Sequence, residues 1–304
     1  MPGQWPGASY EDWRETCDTL HAHSQVLGKL AARLAPPEPQ LQHAALRLTA
    51  RGWETAPLPA PDGSGAIVAG LDLHAHEVFA EHSDDVTKRV ALTPDRPVAE
   101  VTRDVLDAVR ALGGPVDIDP TPQEVAWRVP LDEDYDHARY DREQVDDYFA
   151  AATQAALVLA AFRAPYRGRC TPVNAWWGSF DLAVSLFSGR SAQPPSGDFI
   201  MRNAMNAEEV AVGWWPGDAR HPTAAFYAYA HPAPAGFGHS AVPGAHWDGA
   251  LGEYILEWDD VRSRPDPRAA ALEFARTVFR HACAVCEWDR SLAASADSAP
   301  PPVS

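Results

Sequence analysis

Along the first third of the chain the spacing of apolar positions changes twice. Apolar or small residues recur at 10, 13, 17, 20, 24, 27, 31 and 34, the three-and-four spacing of one face of an amphipathic helix. Ser9-Tyr10-Glu11-Asp12 supplies an N-cap and an acidic first turn, favoured by the positive end of the helix dipole. Pro36-Pro37 sets the far limit. Between 43 and 92, HAALRLTARG, GAIVAGLDLHAHEVFA and VTKRVALTP read as strands punctuated by turn residues such as APDGSG. Links this short fit antiparallel pairing. A second helix is expected from Pro97 through VAEVTRDVLDAVRAL to Gly113-Gly114, with proline in the first turn and glycine past the end. PVDID then reads as a short strand.

Residues 131–147, within PLDEDYDHARYDREQVDD, are dense in carboxylates and read as an acidic, solvated hinge. From near Asp141 a helix of about 20 residues is expected to run to Arg163, stopped by Pro165. Four strand-like segments follow, VNAWWGSFDLAVSLF, EEVAVGWW, AAFYAYAH and GALGEYILEW, and a last helix from about Pro267 to Arg290. The pattern predicts an α+β protein of two lobes, each an antiparallel sheet flanked by helices. Their bounds are 1–130 and 148–290, with the hinge at 131–147, a low-complexity tail expected to be disordered at 291–304, and the main cavity near the lobe seam.

Composition narrows the function classes. Lys+Arg 25 against Asp+Glu 42 gives a formal net charge of -17 over 304 residues, which disfavours nucleic acid and anionic membrane surfaces as partners. No stretch approaches 18 consecutive apolar residues, and the opening MPGQWPGASYEDW has neither a basic nor an apolar signal region, so a soluble, cytoplasmic protein is expected. Four cysteines make no disulfide framework in a chain of this length. Lysine occurs only at 29 and 88; the arginine excess fits the coding bias of a GC-rich genome and is not read as phosphate recognition.

Several chemistries lack their residues. GxxxxGK[ST] and GxGxxG are absent, so no nucleotide cofactor is expected. Gly238-His239-Ser240-Ala241-Val242 lacks the second glycine of a nucleophile elbow, and His76-Glu77-Val78-Phe79-Ala80 lacks the second histidine of a zinc-protease helix. Cys283 and Cys286 form a CxxC inside a helical pattern with no second pair, which reads as two small core residues.

Four constellations remain. His21 and Gln25 share a helix face one turn from Lys29, either as a boundary pair or as part of a site. As a strand, GLDLHAHE would place Asp72, His74 and His76 on one side, a weak alternative metal site against the plainer reading of a solvated sheet face. The segment 174–182, Asn-Ala-Trp-Trp-Gly-Ser-Phe-Asp-Leu, sets an acid and a hydroxyl beside bulky rings. As a strand it puts Trp177, Ser179 and Asp181 on one face; as a helix from Ser179 it aligns Phe180, Val184 and Phe187. Alternation also puts Tyr227, Tyr229 and His231 on one face, with Glu208, Glu209 and Glu253 nearby. These rings either line a pocket whose carboxylates do acid/base work or fill a core.

WRETCDTLHAHSQVLGK at 13–29, LTARGWETAPLP at 48–59, the WGSFDLAVSLFSGR run, WWPG at 214–217, AFYAYAHPAPAGFG at 225–238, LGEYILEW at 251–258 and the closing WDR at 288–290 resemble a bacterial family of uncharacterised proteins catalogued as a domain of unknown function. The resemblance spans nearly the whole chain. It implies a cytoplasmic bacterial protein and no assigned activity. His21, Gln25, Ser179, Asp181, Tyr227, Tyr229 and Glu253 match the family pattern, which carries histidine where this chain has Asn174 and again near Glu208.

The resulting expectation is a small-molecule-binding protein of cofactor-independent hydrolase or transferase type. Asp181 would be the acid/base group with His21 as its partner, and Gln25, Trp177, Ser179, Tyr227, Tyr229 and Glu253 would contact the ligand. The alternative is a non-catalytic interaction or structural protein that uses its aromatic faces. Oligomeric state is not encoded in any of these features.

Overall fold

The computed structural model describes residues 5–295, which divide into two compact units. It is an α+β protein with two antiparallel sheets and helices around them. The first unit comprises Tyr10–Phe149 with the returning segment Asn174–Asp181, and the second comprises the remaining described residues.

In the first unit, α1 (Tyr10–Leu34) follows the expected stripe, but burial extends well beyond it to Thr16, Thr19, His21, His23, Ser24, Gln25 and Lys29. A helix so enclosed must satisfy its polar side chains within the fold, because an unpaired buried polar group costs about 1–3 kcal/mol. A 3-10 turn (Pro39–Ala44) leads into β1 (Arg47–Leu48), β2 (Gly52–Glu54), β3 (Leu58–Pro59), β4 (Ala66–Asp72), β5 (Glu77–His82) and β6 (Val86–Ala91). The sheet order is β1-β2-β4-β5-β6, with β3 also paired to β4. The register sets Leu71 opposite Val78 and Ala69 opposite Ala80, giving a buried face on which α2 (Val98–Gly113) packs through Val98, Val101, Val105 and Val109. Gly114, at φ 85°, ends α2 in a conformation that glycine adopts without strain.

GLDLHAHE does not stay extended. Residues 73–76 form the turn between β4 and β5, where Asp72 Oδ1 accepts from the amides of His74 and Ala75. His76 sits at φ 54°, buried and hydrogen bonded to the Tyr140 hydroxyl at 3.2 Å. Asp72, His74 and His76 therefore do not share a strand face. Among the described residues no three such groups converge in a way that could hold a metal ion. PVDID forms no strand either.

Within 131–147, Leu131, Asp134 and Tyr140 are buried, and α3 (Arg142–Arg163) begins in the first unit and ends in the second. By length and composition α3 would suffice to cross a membrane, and half of its apolar window is buried inside the protein. The chain returns to the first unit with β7 (Asn174–Trp176), tied by reciprocal backbone hydrogen bonds between Leu46 and Ala175.

The second unit holds β8 (Asp181–Ser191, entering the unit at Leu182), α4 (Phe199–Ala204), β9 (Ala207–Trp215), β10 (Ala225–His231), β11 (His246–Asp248), β12 (Glu253–Glu257), α5 (Trp258–Arg262), α6 (Pro267–Val285) and α7 (Arg290–Ser295). Strands pair antiparallel in the order β11-β12-β10-β9-β8. One face, carrying Leu182, Val184, Leu186, Val210, Val212, Trp214, Phe226 and Ala228, is fully buried. The sheet packs against α6, which presents Phe274, Val278 and Phe279 at helical spacing and is capped by Asp266 and started by Pro267. The expected helix to 290 thus stops at 285. Of the tail, 291–295 lie in α7 and 296–304 fall outside the described residues.

Candidate functional site

Residues 177–180, expected as strand or helix, form a turn between β7 and β8. Phe180 adopts φ 58°, a left-handed conformation costing about 1–2 kcal/mol for a residue with a side chain. Its ring is held in a stack. His21 lies on one side at 4.9 Å and Tyr148 on the other at 5.2 Å, Tyr148 in turn stacks on Trp13 at 5.0 Å, and Trp53 tilts against Phe180 at 5.0 Å.

His21 Nε2 reaches the carbonyls of Trp177 at 2.9 Å and Gly178 at 3.0 Å. Carbonyls only accept, so Nε2 carries the proton and donates. The imidazole thereby pins the turn. Gln25 clamps the backbone of residue 123 from both sides, its amide donating to Gln123 O at 2.9 Å and its carbonyl accepting from Gln123 N at 2.8 Å. One turn on, Lys29 Nζ donates to Thr121 O at 2.6 Å and lies 5.5 Å from the Trp177 ring centre. Burial pushes the Lys29 ammonium pKa down, with Asp119 opposing. Trp177 Nε1 donates to Ala44 O at 3.0 Å, and its ring lies so close to Gly28 that a Cβ there would fall 2.0 Å from it. The polar stripe 21, 25, 29 thus spends its hydrogen bonds on loop backbone.

Asp181 is 4% exposed and accepts from the Ser179 hydroxyl. Burial drives the Tyr148 hydroxyl pKa far up, with Cys17 and Asp181 adding to the effect. His21, Gln25, Trp177, Ser179 and Asp181 all belong to the first unit, whereas Tyr227, Tyr229 and Glu253 belong to the second. There Tyr227 and Tyr229 share a face, their rings parallel at 6.3 Å, with Tyr227 lying over Gly213. Glu253 pairs in register with Asp248 at the β11 edge. Asn174 and Glu208, where the family pattern carries histidine, are both engaged. Asn174 accepts from Arg47 and donates to Gln42 Oε1 at 3.0 Å, and Glu208 binds Arg190 and Ser188.

The most open chemistry lies elsewhere in the first unit, in the segment the sequence marked as solvated hinge. A cleft of about 430 Å³ is lined by Arg14, Glu15, Asp18 and Thr19 of α1 and by Asp136, His137, Ala138 and Arg139. Its wall is fixed by α2. The first amides of that helix, which have no intrahelical partner, donate from Val98 to His137 O at 2.9 Å and from Ala99 to Asp134 O at 2.8 Å. Asp134, 1% exposed, turns its carboxylate back on the same loop. Oδ1 accepts from the amides of Asp136 and His137 at 3.0 Å each, and Oδ2 meets His137 Nδ1 at 2.6 Å.

Burial works against the Asp134 carboxylate, but the bonds from the His137 ring and amide outweigh it and hold its pKa below the ordinary value. The same hydrogen bond raises the His137 pKa against the effect of burial, with Asp134, Asp18 and Asp136 adding their charge. With Nδ1 committed to Asp134, Nε2 is the nitrogen left for exchange, and the His137 side chain keeps 20% of its exposure. Trp127 packs against both histidines, 4.9 Å from His137 and 5.8 Å from His21. His23 is buried nearby with Nδ1 unpartnered, and burial, helped by Arg96, lowers its pKa to about 3. The signal in the sequence was Asp134 three residues before the one histidine of an acid-rich run, a spacing that matters only once the loop is bound to a helix end.

A second carboxyl, one of the acids that the sequence sets beside the aromatic strands, stands out in the other unit. Glu209 of β9 is 4% exposed, and burial raises its pKa to about 7 despite Ser185, Arg169 and Tyr229.

No curated protein and no solved structure matches the chain. A family model does so over residues 5–295, and the chain belongs to that family, the family of unknown function DUF5996.

Proposed function

We propose that this chain binds a small polar molecule in the cleft between α1 and residues 136–139, and that His137, oriented by Asp134, exchanges a proton with it without a nucleotide cofactor. The observation that carries the reading is the buried Asp134 carboxylate at 2.6 Å from His137 Nδ1, with the histidine opening onto a cleft of about 430 Å³. A carboxylate behind the ring fixes its tautomer and orientation, the arrangement a general acid or base needs. The hydrogen bond to Asp134 raises the His137 pKa, and Nε2 is the atom that gives up and takes back the proton. His21 supports this site from behind: it holds the 177–180 turn and, through Trp127, the packing beneath His137.

A thermal-shift screen of a metabolite library tests the reading, since a ligand of the folded state raises Tm. Hits should stabilise the wild-type chain and lose that effect in His137→Gln, which keeps a donor for Asp134. Hits that stabilise both proteins equally would place binding elsewhere and end the proposal.

A further inference from the structure

Four ionisable side chains that line the cleft make no hydrogen bond or ion pair with another side chain among the described residues. Among the described residues neither Arg14 nor Arg139 makes a side-chain hydrogen bond or ion pair, and the same holds for the carboxylates of Glu15 and Asp136. Some arginines outside the cleft are paired, as in Arg51 with Glu54, Arg89 with Glu77, Arg96 with Asp104 and Arg190 with Glu208; what sets the cleft apart is that both signs of charge line it. Two guanidiniums and two carboxylates lining one cavity, unspent on each other, leave both signs available to a guest. Asp18 adds a third carboxylate, already taking the Tyr10 hydroxyl at 2.9 Å.

From this arrangement we infer that the cleft takes a small zwitterion of the amino-carboxylate class, a free amino acid, with Arg14 and Arg139 on its carboxylate and Asp136, Glu15 and Asp18 around its ammonium. The inference rests on the reading of the cleft as a small-molecule site. A dianion would meet three lining carboxylates and a chain of net charge -17. A diamine would meet two guanidiniums. A zwitterion is repelled by neither and uses both, and guanidinium binds carboxylate with two parallel hydrogen bonds. His137, its Nδ1 hydrogen bonded to Asp134, presents Nε2 to the same cleft as a further hydrogen-bonding group beside the carboxylate. A volume of about 430 Å³ admits an amino acid with a large side chain.

The experiment uses the full chain at low ionic strength. The twenty L-amino acids are tested one by one by thermal shift, beside succinate, inorganic phosphate, putrescine and glycerol, and each hit is titrated by calorimetry and by the His137 ring resonances. One or more amino acids should bind and perturb His137. Affinity should fall by about tenfold or more in Arg139→Gln and in Asp136→Asn, substitutions of cleft side chains that make no hydrogen bond or ion pair, with the circular dichroism unchanged. Binding by succinate, phosphate, putrescine or glycerol that perturbs His137, with no amino acid doing so, overturns the zwitterion inference and leaves the proposed function standing. Amino-acid binding indifferent to both variants overturns it too, because the ligand then sits elsewhere. If neither these probes nor the metabolite library moves His137, both readings fall.

Discussion

Replacing Glu209 by glutamine should alter the dependence of stability on pH by a predictable amount. Glu209 lies on β9 with Phe187 and His231 opposite it in register, and Ser185, Tyr229 and Arg169 are the groups that favour its charged form. They do not overcome burial. The folded chain holds the carboxyl at about 7 against an unfolded value of 4.5. The folded state therefore binds the proton more tightly, so the stabilisation is complete below about 4.5 and is lost as pH rises through about 7. About 2.5 units at about 1.4 kcal/mol each is a loss of about 3 kcal/mol across that window. Glutamine cannot ionise and should show none of it. Urea unfolding of both proteins at pH 5, 6, 7 and 8 measures this as a difference, which cancels the other titrating groups. The wild type should fall relative to Glu209→Gln, most steeply between pH 5 and 7, ending at pH 8 about 2.5 kcal/mol lower than at pH 5. Parallel stability curves would show that Glu209 is ionised in the fold and that the reasoning from burial is wrong.

Other outcomes follow from the first unit. Gly28→Ala drives a Cβ into the Trp177 ring and should cost about 3 kcal/mol, read as a lowered urea midpoint with unchanged slope. His23→Phe removes a buried ring nitrogen without a partner, and with it a group that must charge as pH falls from about 6.5 toward about 3. The variant should equal or exceed wild type at pH 8 and lose less stability at pH 5 by chemical denaturation. Asp134→Asn takes the counter-charge from His137. The His137 midpoint, followed by NMR, should drop toward the ordinary histidine value, and stability at pH 7 should fall by about 2 kcal/mol.

The elements with strong periodicity were legible from sequence, and those set by long-range contacts were not. The stripe from Tyr10 to Leu34, the Pro97 start and Gly114 stop of α2, and the alternation through Tyr227 and Tyr229 each encode a local geometry that the fold keeps. Alternation failed where a tertiary partner imposes a turn. His21, 156 residues away, holds the carbonyl of Trp177, and the ring stack keeps Phe180 left-handed. At 73–76 the carboxylate of Asp72 caps the amides of a tight turn, so three polar residues at strand spacing never align. Composition misled in a different way at 131–147. Carboxylate density marks solvated chain on average, but one carboxylate, Asp134, is buried by hydrogen bonds to its own loop and to His137, partners that charge counting cannot see.

The division of labour around α1 explains why the residues most conspicuous in sequence are not the ones left open to a ligand. A helix buried over most of its length must find partners for most of its enclosed polar groups, and the His23 Nδ1 goes without one. His21, Gln25 and Lys29 find theirs in the backbone of residues 177–178, 123 and 121, loops that have no sheet to satisfy them. Those bonds fix the floor on which Trp127 and Trp177 rest. The neighbouring stripe, Arg14, Glu15, Asp18 and Thr19, lines the cleft, and among the described residues Arg14 and Glu15 make no side-chain hydrogen bond or ion pair there. Rigid support and exposed chemistry are thus carried on adjacent faces of one helix, and a residue can serve the first only by surrendering the hydrogen-bonding capacity the second requires.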